Sequence, residues 1–497
     1  MAVGKISIYP DRVRGLIDPK VYGHFIEHLW TCIYDGIWVG LDSEISNIQG
    51  IRRDVVEALR RIEPPIIRWP GGYFAELYNW VDGVGPRESR PVRVCPTQPN
   101  GVETNQFGTD EFIRLCRLVG AEPNICVNTS IITPREAGFW VEYCNRRDTD
   151  YAKLRVRNGN PEPYNVKYWS IGNECYFMYP PVDYATRYLN WRHFMRNADP
   201  TIECIACGIE PIYHPKPWAL GDWGEEVVKM IQSEMEYYSV HVYFSSGSED
   251  KFSDEEYYHL FAALENRLTS SINRVIGILD YYTQGKNVKI ALDEWGVWHP
   301  GHDMKGNMTQ KCTLRDALFT ACFFNILHRY PSKIGMANVA QTVNVCHSLI
   351  ITDGGRMFLT PTYHVFDLYR GFKGSQSLEI KIESETFKDP LHRYTERKIP
   401  HLSASAAKSG NGLIVSLVNL NLDEEIDCEV ELRGSEVIGG VRRILTSRDV
   451  RDVNSFETPN RIMPKEEEVK IRGEKFTEKL PPHTLTILEL KTRPTPS

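Results

Sequence analysis

Eight short apolar runs, rich in β-branched and aromatic residues, recur between residues 21 and 344. They are VYGHFIEHL (21–29), PPIIRWPGG (64–72), EPNICVNTS (122–130), VKYWSIGNE (166–174), IECIACG (202–208), YYSVHVYF (237–244), VKIALDEWG (288–296) and GMANVAQTVN (335–344). A run this short and this apolar suits a strand covered on both faces, as in a parallel sheet whose crossovers are helices. Helix-compatible stretches separate the runs, among them DVVEALRRI (54–62), DEFIRLCRLV (110–119) and TLRDALFTACFFNILHRY (313–330). Eight strand–helix units over roughly 350 residues predict an α/β fold, a (β/α)8 TIM barrel with enlarged loops. The alternative is a doubly wound open sheet, which would carry a Gly-rich phosphate loop after its first strand; GHFIEH stands there instead.

A chain of 497 residues exceeds one ordinary core, and its texture changes after about residue 385. GLIVSLVNLNL, IDCEVELRG, GVRRILTS and HTLTILELK alternate polar and apolar positions between turn residues, which predicts a C-terminal β-sandwich. The expected division is a catalytic barrel over 18–384 and a sandwich made of 385–497 together with 1–17, since GKISIYP near the start is itself strand-like.

The net charge of −7 and the lack of a basic run argue against nucleic acid as a partner. No stretch approaches the roughly 20 apolar residues of a membrane span, and no signal-peptide core opens the chain. A cytoplasmic protein without membrane contact is expected. The twelve cysteines sit mostly in apolar runs, where thiols pack as small hydrophobes. Cys204 and Cys207 have C-x-x-C spacing, but residues three apart on a strand face opposite sides, which spoils a redox or zinc reading.

GHFIEHLW holds His24, Glu27 and His28 in the order H-x-x-E-H, a zinc-peptidase spacing when it lies on a helix. The flanking Val21, Tyr22, Gly23, Phe25 and Ile26 favour a strand, so no metal is expected, and Glu27 belongs at the barrel mouth. Catalytic groups of such barrels lie at the C-terminal strand ends. Those ends hold Glu27, Arg68, Asn128, Asn173, Glu174, His241, Tyr243, Asp293, Glu294 and Gln341. Polar groups at the tips of apolar strands are costly unless they serve a site. Two glutamates among them, Glu174 and Glu294, have the chemistry for cleaving a glycosidic bond: one acid to protonate the leaving oxygen, one carboxylate to attack or to activate water. Arg68 would keep the attacking carboxylate ionised. The acid would need an apolar or anionic setting that raises its pKa, with which the neighbouring Trp169, Tyr176 and Phe177 are compatible.

SIGNE after a hydrophobic strand, with LDEWGVW about 120 residues on, resembles the retaining barrel glycosidases of clan A. GHFIEHL, RWPGGYF…YNWVDGVGPRESRP, DEFIRLCRLVGAEP, WSIGNE, HVYF, DEWGVW, MANVAQTVNV, NSFETPNRIMPKEEEVK and LPPHTLTILEL together resemble glycoside hydrolase family 51, nearly end to end. The main activity of that family is α-L-arabinofuranosidase. The resemblance implies Glu174 as acid/base and Glu294 as nucleophile. It implies Glu27, Asn173 and Gln341 as ligands of the sugar hydroxyls, and Tyr243 as a hydrogen-bond donor to the nucleophile, with His241 and Arg68 beside it. Trp298 would be an aromatic wall for the leaving-group sugar. A cofactor is not implied; a homo-oligomer, a hexamer in the family, is. One position departs: after RWPGG the family commonly has a small residue, Asn or Cys, and here Tyr73 stands, expected to point at the substrate pocket or its rim rather than to pack under the loop that follows.

The expected function is exo-acting, retaining release of terminal arabinofuranose from arabinan- or arabinoxylan-derived oligosaccharides. The alternatives are a retaining glycosidase of the same fold acting on pyranosides (β-glucosidase, β-xylosidase or endoglucanase), a carbohydrate-binding protein without catalysis, and the zinc peptidase.

Overall fold

The computed structural model describes residues 2–211, 223–304, 306–394, 398–410 and 412–495. Eight parallel strands close into a barrel in chain order: β1 (Gly23–Phe25), β2 (Ile66–Trp69), β3 (Glu122–Val127), β4 (Tyr168–Ile171), β5 (Glu203–Ala206), β6 (Tyr237–Phe244), β7 (Lys289–Val297) and β8 (Ile334–Ala340). Each sequence run contributes one strand, and β8 pairs with β1 to complete the ring. The open sheet is thereby excluded.

The helices form where patterning and caps agree. Arg53–Ile62 buries Val55, Val56, Leu59 and Ile62 along one stripe and exposes its charges. Asp254–Ala263 begins with a reciprocal cap: Glu256 N donates to Ser253 Oγ (3.2 Å) and Ser253 N to Glu256 Oε2 (2.8 Å). Leu314–Leu327 is buried on every face. One side lies on the barrel, where Phe323 stacks on Trp295 with ring centroids 3.9 Å apart. The other lies under the second domain, where Asn325 donates to Ser403 Oγ (3.1 Å).

The second domain is one nine-stranded sheet. Buried residues from both its halves, such as Ile6, Val430 and Leu480 against Leu402, Val415 and Leu488, form a single cluster, so the sheet folds over on itself. The N-terminal Ala2–Leu16 lies inside this sheet, third from one edge, antiparallel to Gln376–Ser384 and parallel to Ile426–Leu432. The chain thus starts in this domain, builds the barrel and returns. Gln376–Ser384 falls on the barrel side of a division after residue 384, yet it hydrogen-bonds within this sheet; we place the boundary before Gln376. All twelve cysteines are free and buried.

Candidate active site

Parallel strands bring their C-terminal ends to one face, and register decides which side chains meet there. On β6, Ser239, His241 and Tyr243 lie two apart and so share the inward face. His241 pairs in register with Glu294 of β7, and between Ser239 and His241 the β6–β7 ladder slips by one residue. That bulge lets the consecutive Asp293 and Glu294 both reach inward, which a regular strand forbids.

Arg68, at the end of β2, is buried beneath them. Its Nη1 donates to Glu294 Oε1 (2.7 Å) and its Nη2 to Asn173 Oδ1 (2.7 Å), while Nε lies 3.4 Å from Asp293 Oδ2. Tyr243 Oη donates to Glu294 Oε2 (2.8 Å). His241 Nδ1 is 3.0 Å from Glu174 Oε1 and 3.5 Å from Glu294 Oε2, and its Nε2 is 3.4 Å from Asp293 Oδ1. Ser239 Oγ donates to Asp293 (2.6 Å) and Tyr176 Oη to Glu174 Oε1 (2.8 Å). A carboxylate oxygen of Glu174 lies within 4.8 Å of one of Glu294.

The electrostatics follow. Burial pushes the His241 imidazolium towards neutrality, but Glu294, Asp293 and Glu174 around it outweigh burial and hold its pKa well above the ordinary value. Burial likewise raises Glu174, and here the bonded His241, with Tyr176 and Arg68, reverses the shift and lowers it. The expectation of a raised acid is corrected on this point. Burial is the largest single influence, but the bonded His241, Tyr176 and Arg68 together outweigh it. Trp169 has no part in it: its indole donates to Val166 O (2.9 Å) and packs against Trp140.

A second group stands on the other side of Glu294. Glu27 Oε1 accepts the backbone N–H groups of Gly72 and Phe74 (3.0 Å each), and Oε2 accepts from Gln341 Nε2 (2.8 Å). Burial, then the Glu294 charge, push the Glu27 carboxyl up to about 7 against the pull of these donors. Gln341 Oε1 is buried without a hydrogen-bond partner among the described residues. The chain after β2 runs so close that a Cβ on Gly72 would lie 2.6 Å from Glu294 Oε1 and 3.4 Å from Asn173 Oδ1. Only glycine fits.

The fold therefore brings Glu27, Arg68, Asn173, Glu174, His241, Tyr243, Glu294 and Gln341 into one network. Trp298 adjoins it edge-on to Tyr243 (centroids 5.6 Å apart), its indole donating to His302 O. Tyr73 begins the short helix Tyr73–Leu77 beside the network and is 50% exposed. Asn128 serves its own loop instead, accepting from Ile131 N and Ile132 N and donating to Tyr78 O. The H-x-x-E-H residues diverge. His24 meets Thr342 and Phe366, while His28 stacks on Phe74, faces Glu103 and accepts from the Trp69 indole. They do not converge with Glu27 on one point, because Gly23–Phe25 is a strand and the chain beyond it leaves the sheet. Sequence reasoning missed Glu76, a buried carboxylate beside the turn that carries Glu174. Its only signal was a charged residue inside the otherwise apolar GGYFAEL.

A family model described as the α-L-arabinofuranosidase 1 domain matches residues 58–258, and one described as the α-L-arabinofuranosidase C-terminal domain matches 293–484. The chain is 36% identical to an intracellular exo-α-L-arabinofuranosidase of Bacteroides ovatus, over 98% of its own length and 95% of the relative's. It is 33% identical to α-L-arabinofuranosidase C of Emericella nidulans, over 98% and 97%. Among solved structures it superposes on the GH51 arabinofuranosidase of Xanthomonas axonopodis pv. citri with a TM-score of 0.91 at 30% identity, covering 99% and 100% of the two chains. The Thermotoga maritima α-L-arabinofuranosidase, solved as an arabinose complex, gives 0.88 at 34%, covering 98% and 99%.

Proposed function

The chain belongs to the α-L-arabinofuranosidases of glycoside hydrolase family 51, and from that premise we propose how its residues carry the reaction. The enzyme is an exo-acting glycosidase that hydrolyses terminal α-L-arabinofuranosyl residues. Glu294 attacks the anomeric carbon while Glu174 delivers a proton to the leaving oxygen. The carbon–oxygen bond to the leaving sugar breaks as the bond to Glu294 forms. Water, deprotonated by Glu174, then releases arabinose with its configuration retained.

The observation that carries this reading is the carboxylate gap. Oxygens within 4.8 Å fit the roughly 5–5.5 Å of retaining enzymes and fall short of the roughly 6.5–9.5 Å needed to seat a water between them. Arg68 and Tyr243 hold Glu294 as an oriented carboxylate. The proton for the leaving group is kept on the His241–Glu174 hydrogen bond, and once Glu294 is esterified it no longer supports the charge on His241. Gln341 Oε1 and the side-chain NH2 of Asn173, whose Oδ1 is taken by Arg68, hold sugar hydroxyls with Glu27. Trp298 faces the leaving-group side. A binding protein without catalysis would have no use for two carboxylates so braced.

The finer substrate is arabinan- or arabinoxylan-derived oligosaccharide. The Bacteroides relative is called intracellular, which supports a cytoplasmic site of action; among the described residues no helix is long and apolar enough to cross a membrane. A homo-oligomer, a hexamer by family resemblance, completes the reading.

The test separates the glutamates. Glu294→Ala should abolish turnover of every substrate. Glu174→Ala should spare nitrophenyl arabinofuranoside relative to oligosaccharides in kcat/KM, because nitrophenol leaves without a proton, and azide should restore its kcat. Equal losses on both substrates with no azide effect would reverse the assignment.

A further inference from the structure

One buried carboxylate at the catalytic end of the barrel has no part in the chemistry above. Glu76, in Tyr73–Leu77, is 5% exposed and reaches from the loop after β2 to the tips of the next two strands. Its Oε1 accepts the backbone N–H of Asn173 (2.9 Å) and its Oε2 that of Thr129 (3.2 Å). Its own carbonyl accepts from Ser130 Oγ (2.6 Å), and its helix is tied down through Phe74 N on Glu27.

The peptide it grips is the turn that presents Glu174. Gly172 is left-handed (φ +81°), and a Cβ there would strike Cys175 Sγ at 2.4 Å. Glu174 itself is left-handed (φ +44°), a conformation that a residue with a Cβ keeps only where its surroundings hold it. Asn173 sits between the two. Its side chain is fixed by Arg68 and its backbone N–H by Glu76. The neighbouring amides go elsewhere: Gly172 N to Val127 O (2.7 Å) and Cys175 N to Cys207 Sγ (3.3 Å).

We propose that Glu76 is a positioning residue for proton transfer: its carboxylate pins the Asn173 peptide and so aims Glu174 at the leaving oxygen. This rests on Glu174 being the acid/base. A buried carboxylate is an expensive way to satisfy two backbone N–H groups, since a backbone carbonyl does the same work uncharged. What the carboxylate adds is reach and stiffness. It spans three successive strand ends; burial pushes its pKa up to about 7, but the Asn173 and Thr129 N–H groups pull towards the ionised form, whose charge-assisted bonds resist displacement better than neutral ones. Through Gly72 and Phe74 the same loop also contacts Glu27 and abuts Glu294, so one segment sets both carboxylates relative to the sugar.

A merely structural Glu76 would lower activity on all substrates together, in proportion to folded protein. A positioning Glu76 acts only where a proton must be delivered. In Glu76→Ala, kcat/KM for an arabino-oligosaccharide should fall roughly tenfold or more, while that for nitrophenyl arabinofuranoside stays within about threefold. Azide should raise kcat on the nitrophenyl substrate. If the alanine variant does not fold, as judged by its thermal transition, Glu76→Gln is read instead. Its amide oxygen can keep the Asn173 contact while its NH2 faces the Thr129 N–H, so the same split should appear in weaker form. Glu174→Ala is measured alongside. If it shows the substrate split and the Glu76 variants lose both substrates equally, or lose neither, the positioning role is overturned. If Glu174→Ala shows no split, the acid/base reading fails and this proposal falls with it.

Discussion

Replacing Gly72 by alanine probes how tightly the site is built. The new Cβ would lie 2.6 Å from Glu294 Oε1, well inside the 3.4 Å where ordinary contact begins. Something must yield by about 0.8 Å. The cheapest mover is usually the tip of a side chain, but this tip is held by Arg68 at 2.7 Å and Tyr243 at 2.8 Å in a buried setting. If the backbone yields instead, Gly72 N and Phe74 N pull away from Glu27. Either movement shifts a reacting or sugar-holding group by most of an ångström, and a misplacement of that size costs on the order of 100-fold in rate, about 2.7 kcal/mol of activation free energy. We therefore expect Gly72→Ala to lower kcat on nitrophenyl arabinofuranoside about 100-fold, with KM changed less than about threefold. The thermal midpoint should move by only a few degrees, because the clash is with one side-chain oxygen rather than the core. Gly277→Ala, in helix Thr269–Tyr282 where a Cβ meets open space, is the control and should leave kcat untouched. A Gly72→Ala enzyme with kcat within about threefold of the parent would refute the claim that Arg68 and Tyr243 lock the nucleophile.

Three further outcomes follow from the same geometry. NMR of the first product should show the retained anomer, and the inverted anomer would contradict the short carboxylate gap. Tyr73→Asn should change the ratio of arabinofuranoside to xylopyranoside kcat/KM by at least about threefold, since a half-exposed phenol beside the site adds bulk and one hydroxyl contact; an unmoved ratio would remove Tyr73 from specificity. The Glu27 pKa of about 7 lies above the ordinary 4.5, so the folded state holds a proton that the unfolded chain releases. That contribution to stability is full below about pH 4.5 and lost as pH rises through about 7. In Glu27→Gln the fall in unfolding free energy across this window should shrink by up to about 3 kcal/mol, read by urea titration at both ends, and an unchanged fall would rule out the raised pKa.

Much of this protein is legible in its sequence. Strands buried on both faces must be apolar along their length, so eight runs and their intervening helices announce the barrel. A closed parallel barrel sends every strand end to one face, so Glu174, Glu294, Arg68, His241, Tyr243 and Gln341 could be nominated by position. The alternating runs after about residue 385 announce the second domain. The strand Gln376–Ser384 was harder to assign. It is only half covered in its sheet, and its QSLEIKIES reads as neither a buried strand nor a clear boundary.

What the sequence left open are matters of tenths of an ångström and of charge. The slipped register between β6 and β7, which turns both Asp293 and Glu294 inward, depends on pairing between strands some fifty residues apart. The lowered Glu174 arises because a residue of β6 places an imidazole against it, which with Tyr176 and Arg68 outweighs the effect of burial. Glu76 reads as a surface glutamate in a short helix until the fold lays that helix across the tips of β3 and β4. Local sequence determines which residues are apolar, which can turn and which can react, because those are properties of side chains and their neighbours along the chain. Distances among reactive groups, and the pKa values that follow from them, are properties of charges brought together in space, and only the closed barrel brings them together.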